Sequence, residues 1–434
     1  MKKRFIYAVL IMAMLINIFT LPAGAASVPP QIISEGAILI DANSGRVLFE
    51  QNADTRLYPA STTKIMTAVL ALENLQLDSV AVASYDAVMS IPSNGSNMGT
   101  KEGEQLTVEQ LLYGMLVASA NEACNVVAEY MCGDVDSFVV KMNEKARELG
   151  MNNTKFLNPH GLHSPEHYTT ARDMAILARY AMQNDKFREV VSTARYTIPP
   201  TNKNSDSRTI TNTNYLISTY QNASYFYANA TGIKTGFTTQ AGNCLVSSAS
   251  KSSTNLIAVT LNAKPQSGAI YSFIDSKALF EYGFDNYKTR SIARPGEIIA
   301  EAKVKEGWGA DAVTLEAKNE LDGLLPADAD IANVIKTITL NDNILAPIAV
   351  GDVLGRATYS YDGYELGSVE LVSTVEVKRD FFVFIMNRIF GFFNLLWVKI
   401  PLLILIALII VMVITRKIKR KRRRRYLRSK RYPK

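Results

Sequence analysis

Residues Leu395–Thr415 form a 21-residue run that is apolar but for Lys399 near its outer edge. The thirteen Lys and Arg of residues 416–434 follow it, with no acid among them. As a helix such a run rises about 31 Å, enough to cross the hydrocarbon core of a bilayer. Pro401 falls early in it, where a missing N–H costs little. Positively charged flanks stay on the cytoplasmic side, so residues 395–415 are expected to be a transmembrane helix and 416–434 a basic cytoplasmic tail. At the other end, Met1–Arg4 is basic and Phe5–Leu21 mainly apolar. Ala23-Gly24-Ala25 then offers a small-residue cleavage site before Ser27-Val28-Pro29-Pro30. That is the layout of a secretory signal peptide over residues 1–25, the competing reading being an uncleaved anchor. Either way the body is expected outside the cytoplasm, tethered to the cell membrane.

The formal net charge of +7 is therefore misleading. The tail and Lys2, Lys3 and Arg4 supply sixteen positive charges, and without them residues 5–415 carry −9. The tail has a competing reading as a nucleic-acid arm. Directly after a membrane span, a topology signal that also attracts anionic lipid accounts for it more simply, and no nucleic-acid partner is expected. Phe381–Trp397 holds six Phe and one Trp, which suits an interfacial linker over residues 379–394. The cysteines, Cys124, Cys132 and Cys244, are odd in number. Eight residues apart on one helix, Cys124 and Cys132 stand about 12 Å from each other, too far for a disulfide.

Between the ends, Gly36–Ile40 and Arg46–Glu50 read as strands joined by the turn Asp41–Gly45. The spacing becomes helical over Lys64–Leu75, with Ile65, Ala68, Val69 and Leu72 on one face. Thr107–Val117 opens with a capping box, Thr107 and Gln110. Glu122–Met131, Val135–Leu149 and Thr170–Met182 continue the helical block. Strands return over Asn243–Ser250 and Asn255–Ala263, and Ser272–Tyr282 is again helical. Strands at both ends of a helical middle predict an α+β domain with one sheet over residues 30–285. After Arg294-Pro295-Gly296-Glu297, short alternating strands dominate: Ile298–Lys305, Ala312–Ala317, Ile335–Leu340 and Val369–Val377. Asp362-Gly363 sits in a hairpin between Arg356–Tyr361 and Tyr364–Val369. Residues 294–378 are thus expected to be a small all-β domain without a catalytic constellation.

Three short motifs can carry chemistry. In Pro59-Ala60-Ser61-Thr62-Thr63-Lys64, a Ser precedes a Lys by three residues at a helix start, which puts both on one face. A serine hydroxyl becomes a good nucleophile when a neighbouring base takes its proton, and a Lys serves if burial or a second cation brings its pKa toward neutrality. Taken alone the pattern is cheap, since Ser248–Lys251 repeats it, and Ser61 also reads as an ordinary N-cap. Ser119-Ala120-Asn121 lies between two helices and presents a hydroxyl and an amide; Ser253–Asn255 repeats that spacing. Lys234-Thr235-Gly236 occurs once, just before the strand hairpin. There a Lys head, a hydroxyl and unobstructed backbone line a ligand channel, or form an ordinary edge strand.

In this order the three motifs resemble the signature set of penicillin-binding proteins and serine β-lactamases. Ala37–Ala42, Pro59–Lys64, Asn158–Leu162, Thr169–Ala175 and Gly232–Gly236 resemble low-molecular-mass penicillin-binding proteins, most closely serine-type D-alanyl-D-alanine carboxypeptidases. The resemblance spans roughly residues 30–285 and implies a transpeptidase-like α+β domain; the β domain and anchor also match that family's layout. By resemblance, Ser61 is the nucleophile toward the penultimate D-Ala carbonyl of a peptidoglycan stem peptide and Lys64 its general base. Ser119 relays protons, and Asn121 holds the substrate amide. Lys234 and Thr235 bind the terminal carboxylate, Gly236 admits the extended peptide, and the backbone N–H groups of Ser61 and Phe237 form an oxyanion hole. β-Lactams are covalent inhibitors of such a cycle, which needs no metal or organic cofactor.

The chain departs from the family pattern at two positions. Ala120 stands where Gly or Asp is common, and Phe237 where relatives carry His, which bears on deacylation and substrate preference. His160, His163 and His167 have metal-like spacing, but Pro159, Gly161 and Pro165 argue for a loop with structural hydrogen bonds. The same motifs serve a DD-endopeptidase acting on crosslinks. A non-enzymatic β-lactam receptor or wall-binding scaffold is a further alternative. A β-lactamase fits less well, because no Glu-x-x-Leu-Asn-like segment is present to activate a deacylating water.

Overall fold

The computed structural model describes residues 28–265 and 268–431; the expected signal peptide lies outside them. By internal contacts the chain divides into two units. One comprises residues up to 290 with 322–334 and 361–366; the other comprises 291–321, 335–360 and 367–434.

In the first unit, β1 (Gly36–Asp41) and β2 (Val47–Gln51) form the expected hairpin. A 3₁₀ turn over Ala60–Thr63 then runs into α1 (Lys64–Asn74). Next come β3 (Val80–Val82), α2 (Tyr85–Met89), β4 (Gln105–Thr107), α3 (Val108–Val117), α4 (Asn121–Cys132), α5 (Val135–Glu148), α6 (Ala171–Ala181) and α7 (Asp185–Ser192). The hairpin β5 (Arg195–Ile198) and β6 (Arg208–Thr211) precedes β7 (Ala230–Thr238), β8 (Gly242–Lys251), β9 (Thr254–Ala263) and α8 (Tyr271–Asn286).

The antiparallel sheet has the order β2-β1-β9-β8-β7. The chain thus leaves the sheet after β2, builds the helical block, and returns to finish it. Alternation along β1 sends Ile38 and Ile40 into the core shared with that block, and Ala37 and Leu39 into the core shared with α8. With both faces covered, β1, β8 and β9 are buried almost throughout, which is why they read as continuous apolar runs. Helix α8 lies close on the sheet because Gly283 has no side chain; a Cβ there would stand 2.5 Å from Leu256 Cδ1.

The capping box of α3 forms as expected. Gln110 N–H donates to Thr107 Oγ1 at 3.2 Å, and Thr107 N–H donates to Gln110 Oε1 at 2.9 Å. Cys124 and Cys132 both lie on α4 as free thiols. Helix α7 and the β5–β6 hairpin had no counterpart in the sequence reading.

In the second unit, strands β11 (Ile298–Lys303), β12 (Ala312–Ala317), β14 (Ile335–Leu340), β15 (Val353–Tyr361) and β16 (Tyr364–Ser373) pair in the order β11-β12-β16-β15-β14. Two further strands, β10 (Tyr287–Ala293) and β13 (Leu321–Pro326), pair with each other, and residues 287–290 and 322–326 of that pair belong to the first unit. The Asp362-Gly363 turn forms with φ of 50° and 79°, as a two-residue hairpin of this twist requires. Strand β16 is one continuous strand where the sequence suggested two. Helix α9 (Phe381–Asn394) carries the aromatic segment. Helix α10 (Leu396–Arg431) continues unbroken from the apolar run into the basic tail. Among the described residues, one helical stretch, Trp397–Arg424, is long and apolar enough to cross a membrane, its apolar 18-residue window having mean hydropathy 2.9.

Candidate active site

Ser61 sits in the 3₁₀ turn that opens α1, and Gly236 of β7 lets the chain close around it. Ala60 takes a left-handed φ of 47°. A Cβ on Gly236 of β7 would stand only 3.0 Å from Pro59 O and from Ser61 N, so the strand passes directly over the turn. The Ser61 hydroxyl makes no cap bond; the turn has no side-chain cap at all. The hydroxyl instead accepts from Lys64 Nζ at 2.9 Å, one turn later, so the N-cap reading of Ser61 does not hold.

Lys64 is wholly buried. Its Nζ also donates to Asn121 Oδ1 at 2.7 Å and to the His160 carbonyl at 2.7 Å. Three acceptors match the three protons of an ammonium. Burial pulls the Lys64 pKa down to about 8, against the opposing influence of Cys124 and Glu122. The second buried cation of the site is Lys234. Lys234 is held well below the ordinary lysine range, by burial first and by the charge of Lys64 second.

Ser119 lies between the end of α3 and the start of α4, as its motif implied. Its φ of 62° is left-handed, a conformation that costs a non-glycine residue about 1–2 kcal/mol. The bend is held by Ala120 N–H donating to Gly114 O at 3.0 Å and Asn121 N–H donating to Ser96 O at 2.9 Å. Ser119 lines the cleft, and its hydroxyl has no hydrogen-bond partner among the described residues.

Lys234-Thr235-Gly236 lies in the middle of β7, the edge strand, just before the β8–β9 hairpin as expected. Gly232 and Gly236 masked the strand pattern. The Lys234 side chain does not line the cleft as expected. It is 1% exposed and sits behind the wall, donating to the Thr235 carbonyl at 3.0 Å. The wall itself is Thr235, Gly236 and Phe237, and Phe237 is 60% exposed at the rim. The cleft between these motifs has a volume of about 540 Å³.

Other lining residues carried no recognised sequence signal. The Thr213 hydroxyl lies 2.6 Å from that of Thr235. Asn94, Gly95 and Ser96 form one side of the cleft, and Tyr215 and Phe273, stacked with centroids 5.2 Å apart, form another. All are distant in sequence from the motifs they join.

The histidines face different partners. His167 Nε2 lies 3.0 Å from Thr63 Oγ1, His160 Nδ1 accepts from Leu162 N–H at 3.2 Å, and His163 meets Tyr58 edge-on. Burial, then the charges of Lys64 and His167, brings the His160 pKa down to about 3; burial, then His163, brings that of His167 to about 4. Among the described residues no group of three or more His, Cys, Asp or Glu is placed to hold a metal ion.

A hydroxyl held by a buried lysine, beside a strand edge open to an extended chain, is equipped for acyl transfer. Comparison with known proteins agrees. The family model of D-alanyl-D-alanine carboxypeptidases matches residues 23–265, and that of the C-terminal domain of penicillin-binding protein 5 matches residues 287–379. The chain is 33% identical to the D-alanyl-D-alanine carboxypeptidase DacF of Bacillus subtilis, over 82% of this chain and 89% of that one. It is 30% identical to DacC of Escherichia coli, over 85% and 88%. Penicillin-binding protein 5 of Haemophilus influenzae superposes with a TM-score of 0.65 at 31% identity, covering 82% of this chain and all of that one. The chain therefore belongs to the D-alanyl-D-alanine carboxypeptidase family.

Proposed function

We propose that the protein removes the terminal D-Ala from peptidoglycan pentapeptide stems through an acyl-enzyme on Ser61, and that β-lactams acylate the same serine. The observation that carries this reading is the 2.9 Å hydrogen bond between a buried Lys64 amine and the Ser61 hydroxyl, at a cleft edged by an open strand. Lys64 loses a proton to become the base; with its pKa near 8 this costs little at neutral pH. Ser61 Oγ then attacks the penultimate D-Ala carbonyl and its proton passes to Lys64. The first-turn N–H of Ser61, which has no partner within the turn, and that of Phe237 receive the developing oxyanion. Ser119 Oγ, without another partner, carries a proton to the departing D-Ala nitrogen. Asn121 keeps Lys64 aimed through Oδ1. Thr235, on the cleft wall, holds the terminal carboxylate, and the buried Lys234 behind it supplies the counter-charge. Water then hydrolyses the ester.

The apolar helix anchors the protein in the cell membrane, with the catalytic domain outside and the basic tail in the cytoplasm. The test is release of free D-Ala from a peptide ending in D-Ala-D-Ala by the full chain in detergent, beside Ser61→Ala. Release by the parent alone upholds the reading. Release by Ser61→Ala assigns the nucleophile elsewhere, and release by neither removes the carboxypeptidase activity.

A further inference from the structure

Glu122 follows Asn121 in the first turn of α4 and is 2% exposed, yet the reaction above does not use it. Its Oε1 accepts from Met98 N–H at 2.7 Å and from Thr100 Oγ1 at 3.2 Å. Its Oε2 is buried with no hydrogen-bond partner. The segment it grips continues the cleft side formed by Asn94, Gly95 and Ser96. That side meets α4 at two more points. Asn121 N–H donates to Ser96 O, and a Cβ on Gly95 would stand 3.1 Å from Asn121 Nδ2. One turn on, Asn125 donates to Ala87 O at 3.2 Å and to Ser90 Oγ at 3.1 Å. An unpaired carboxylate oxygen is costly to bury, so a fastening role alone leaves it unexplained.

We propose that Glu122 is a positioning residue for the Ser61–Lys64 pair: it fastens the 94–100 side of the cleft to the start of α4, and its carboxylate balances the charge of the buried Lys64. The inference rests on the reading of Lys64 as the base. The groups facing Lys64 are Glu122 and Cys124 on α4, Lys234 on β7 and His160 on its loop; on the other side of the gripped segment, Arg208 on β6 reaches Gly99 O at 3.0 Å and pairs with Glu104. Glu122 acts on Lys64 against burial, favouring the charged amine. Neutralising it therefore makes Lys64 easier to deprotonate.

The experiment follows acylation of the full chain in detergent by a fluorescent penicillin from pH 6 to pH 10 (about the window around a lysine shifted toward neutrality). Glu122→Gln keeps an acceptor for Met98 N–H and Thr100 but removes the charge. Its acylation midpoint falls by about one pH unit, so acylation at pH 6.5 rises up to about tenfold instead of falling. Glu122→Asp keeps the charge and leaves the midpoint in place while raising KM for the peptide. A Gln variant that is folded but slower, with an unmoved midpoint, overturns the proposal, because a structural role alone predicts that result. Should Glu122→Gln not fold, Glu122→Asn beside Glu122→Asp decides, since the two differ in charge and not in size: a lower midpoint in the Asn variant upholds the role of charge, and equal midpoints overturn it. Loss of the pH dependence in the parent itself, or labelling of Ser61→Ala, contradicts the base and nucleophile assignment instead.

Discussion

Gly161 lies so close to Ala60 that a Cβ built on it would stand 1.8 Å from the Ala60 carbonyl oxygen. Its φ of 88° is also left-handed. The loop carrying His160 is thereby pressed onto the turn carrying Ser61, and this contact lets the His160 carbonyl reach Lys64. Gly161→Ala must either move that backbone or open the loop. The conformational cost alone is about 1–2 kcal/mol, and the overlap adds to it. The expected outcome is a lower thermal midpoint and at least tenfold slower labelling by fluorescent penicillin, measured on the same preparation.

With neutral Lys64 as the base, as proposed, acylation is expected to rise with pH and level off above about 8, because burial has brought its pKa to about 8. Below that value the neutral fraction falls tenfold per pH unit. Lys64→Arg keeps a cation and donors but cannot give up a proton in this range. It should lose acylation by roughly a thousandfold or more across the whole profile, with no recovery at high pH. An Arg variant that regains activity at pH 9 would sink the assignment.

The buried histidines make the first unit sensitive to acid. In the unfolded chain His160 and His167 titrate near 6.5, whereas in the fold burial holds them at about 3 and about 4. Below 6.5 the unfolded state therefore binds more protons, and their contribution, complete above 6.5, is lost as pH falls toward 4 and then 3. The slope is about 1.4 kcal/mol per pH unit for each histidine. Urea unfolding at pH 7 and pH 5 should show the loss, and His167→Gln should flatten it.

The Thr213–Thr235 hydroxyl bond predicts a binding effect rather than a chemical one. Thr213→Val removes it without changing side-chain size. The Thr235 hydroxyl loses its orientation, at a cost of about 1 kcal/mol. Steady-state kinetics on a D-Ala-D-Ala peptide should show KM raised roughly fivefold with kcat changed little. A change confined to kcat would contradict the placement of Thr235 at the carboxylate.

The parts of the site that were legible in the sequence are local. Ser61 and Lys64 lie one helical turn apart, and Ser119 and Asn121 flank a single bend, so spacing alone puts them together. Thr213, the 94–96 segment and Tyr215 with Phe273 reach the cleft only through tertiary packing and leave no periodic trace. The edge strand β7 was obscured for another reason. Gly232 and Gly236 serve close approach to Val191 and to the Ser61 turn, and the same glycines dilute the strand signal. The helical block and the β8–β9 hairpin were readable because their burial is regular. Helix α7, eight residues long and with only Phe187, Val190 and Val191 buried, offers too short a repeat to distinguish from a loop.

Lys64 and Lys234 are both out of water before any substrate arrives. Removing the hydration shell of a cation is among the larger costs a protein meets, and here it is met once, when the domain folds. A peptide entering the cleft encounters amines already stripped and aimed, so each cycle begins with only the peptide's own water to displace. The energetic burden of the chemistry is carried by the folded state for the lifetime of the molecule, not renewed at every turnover.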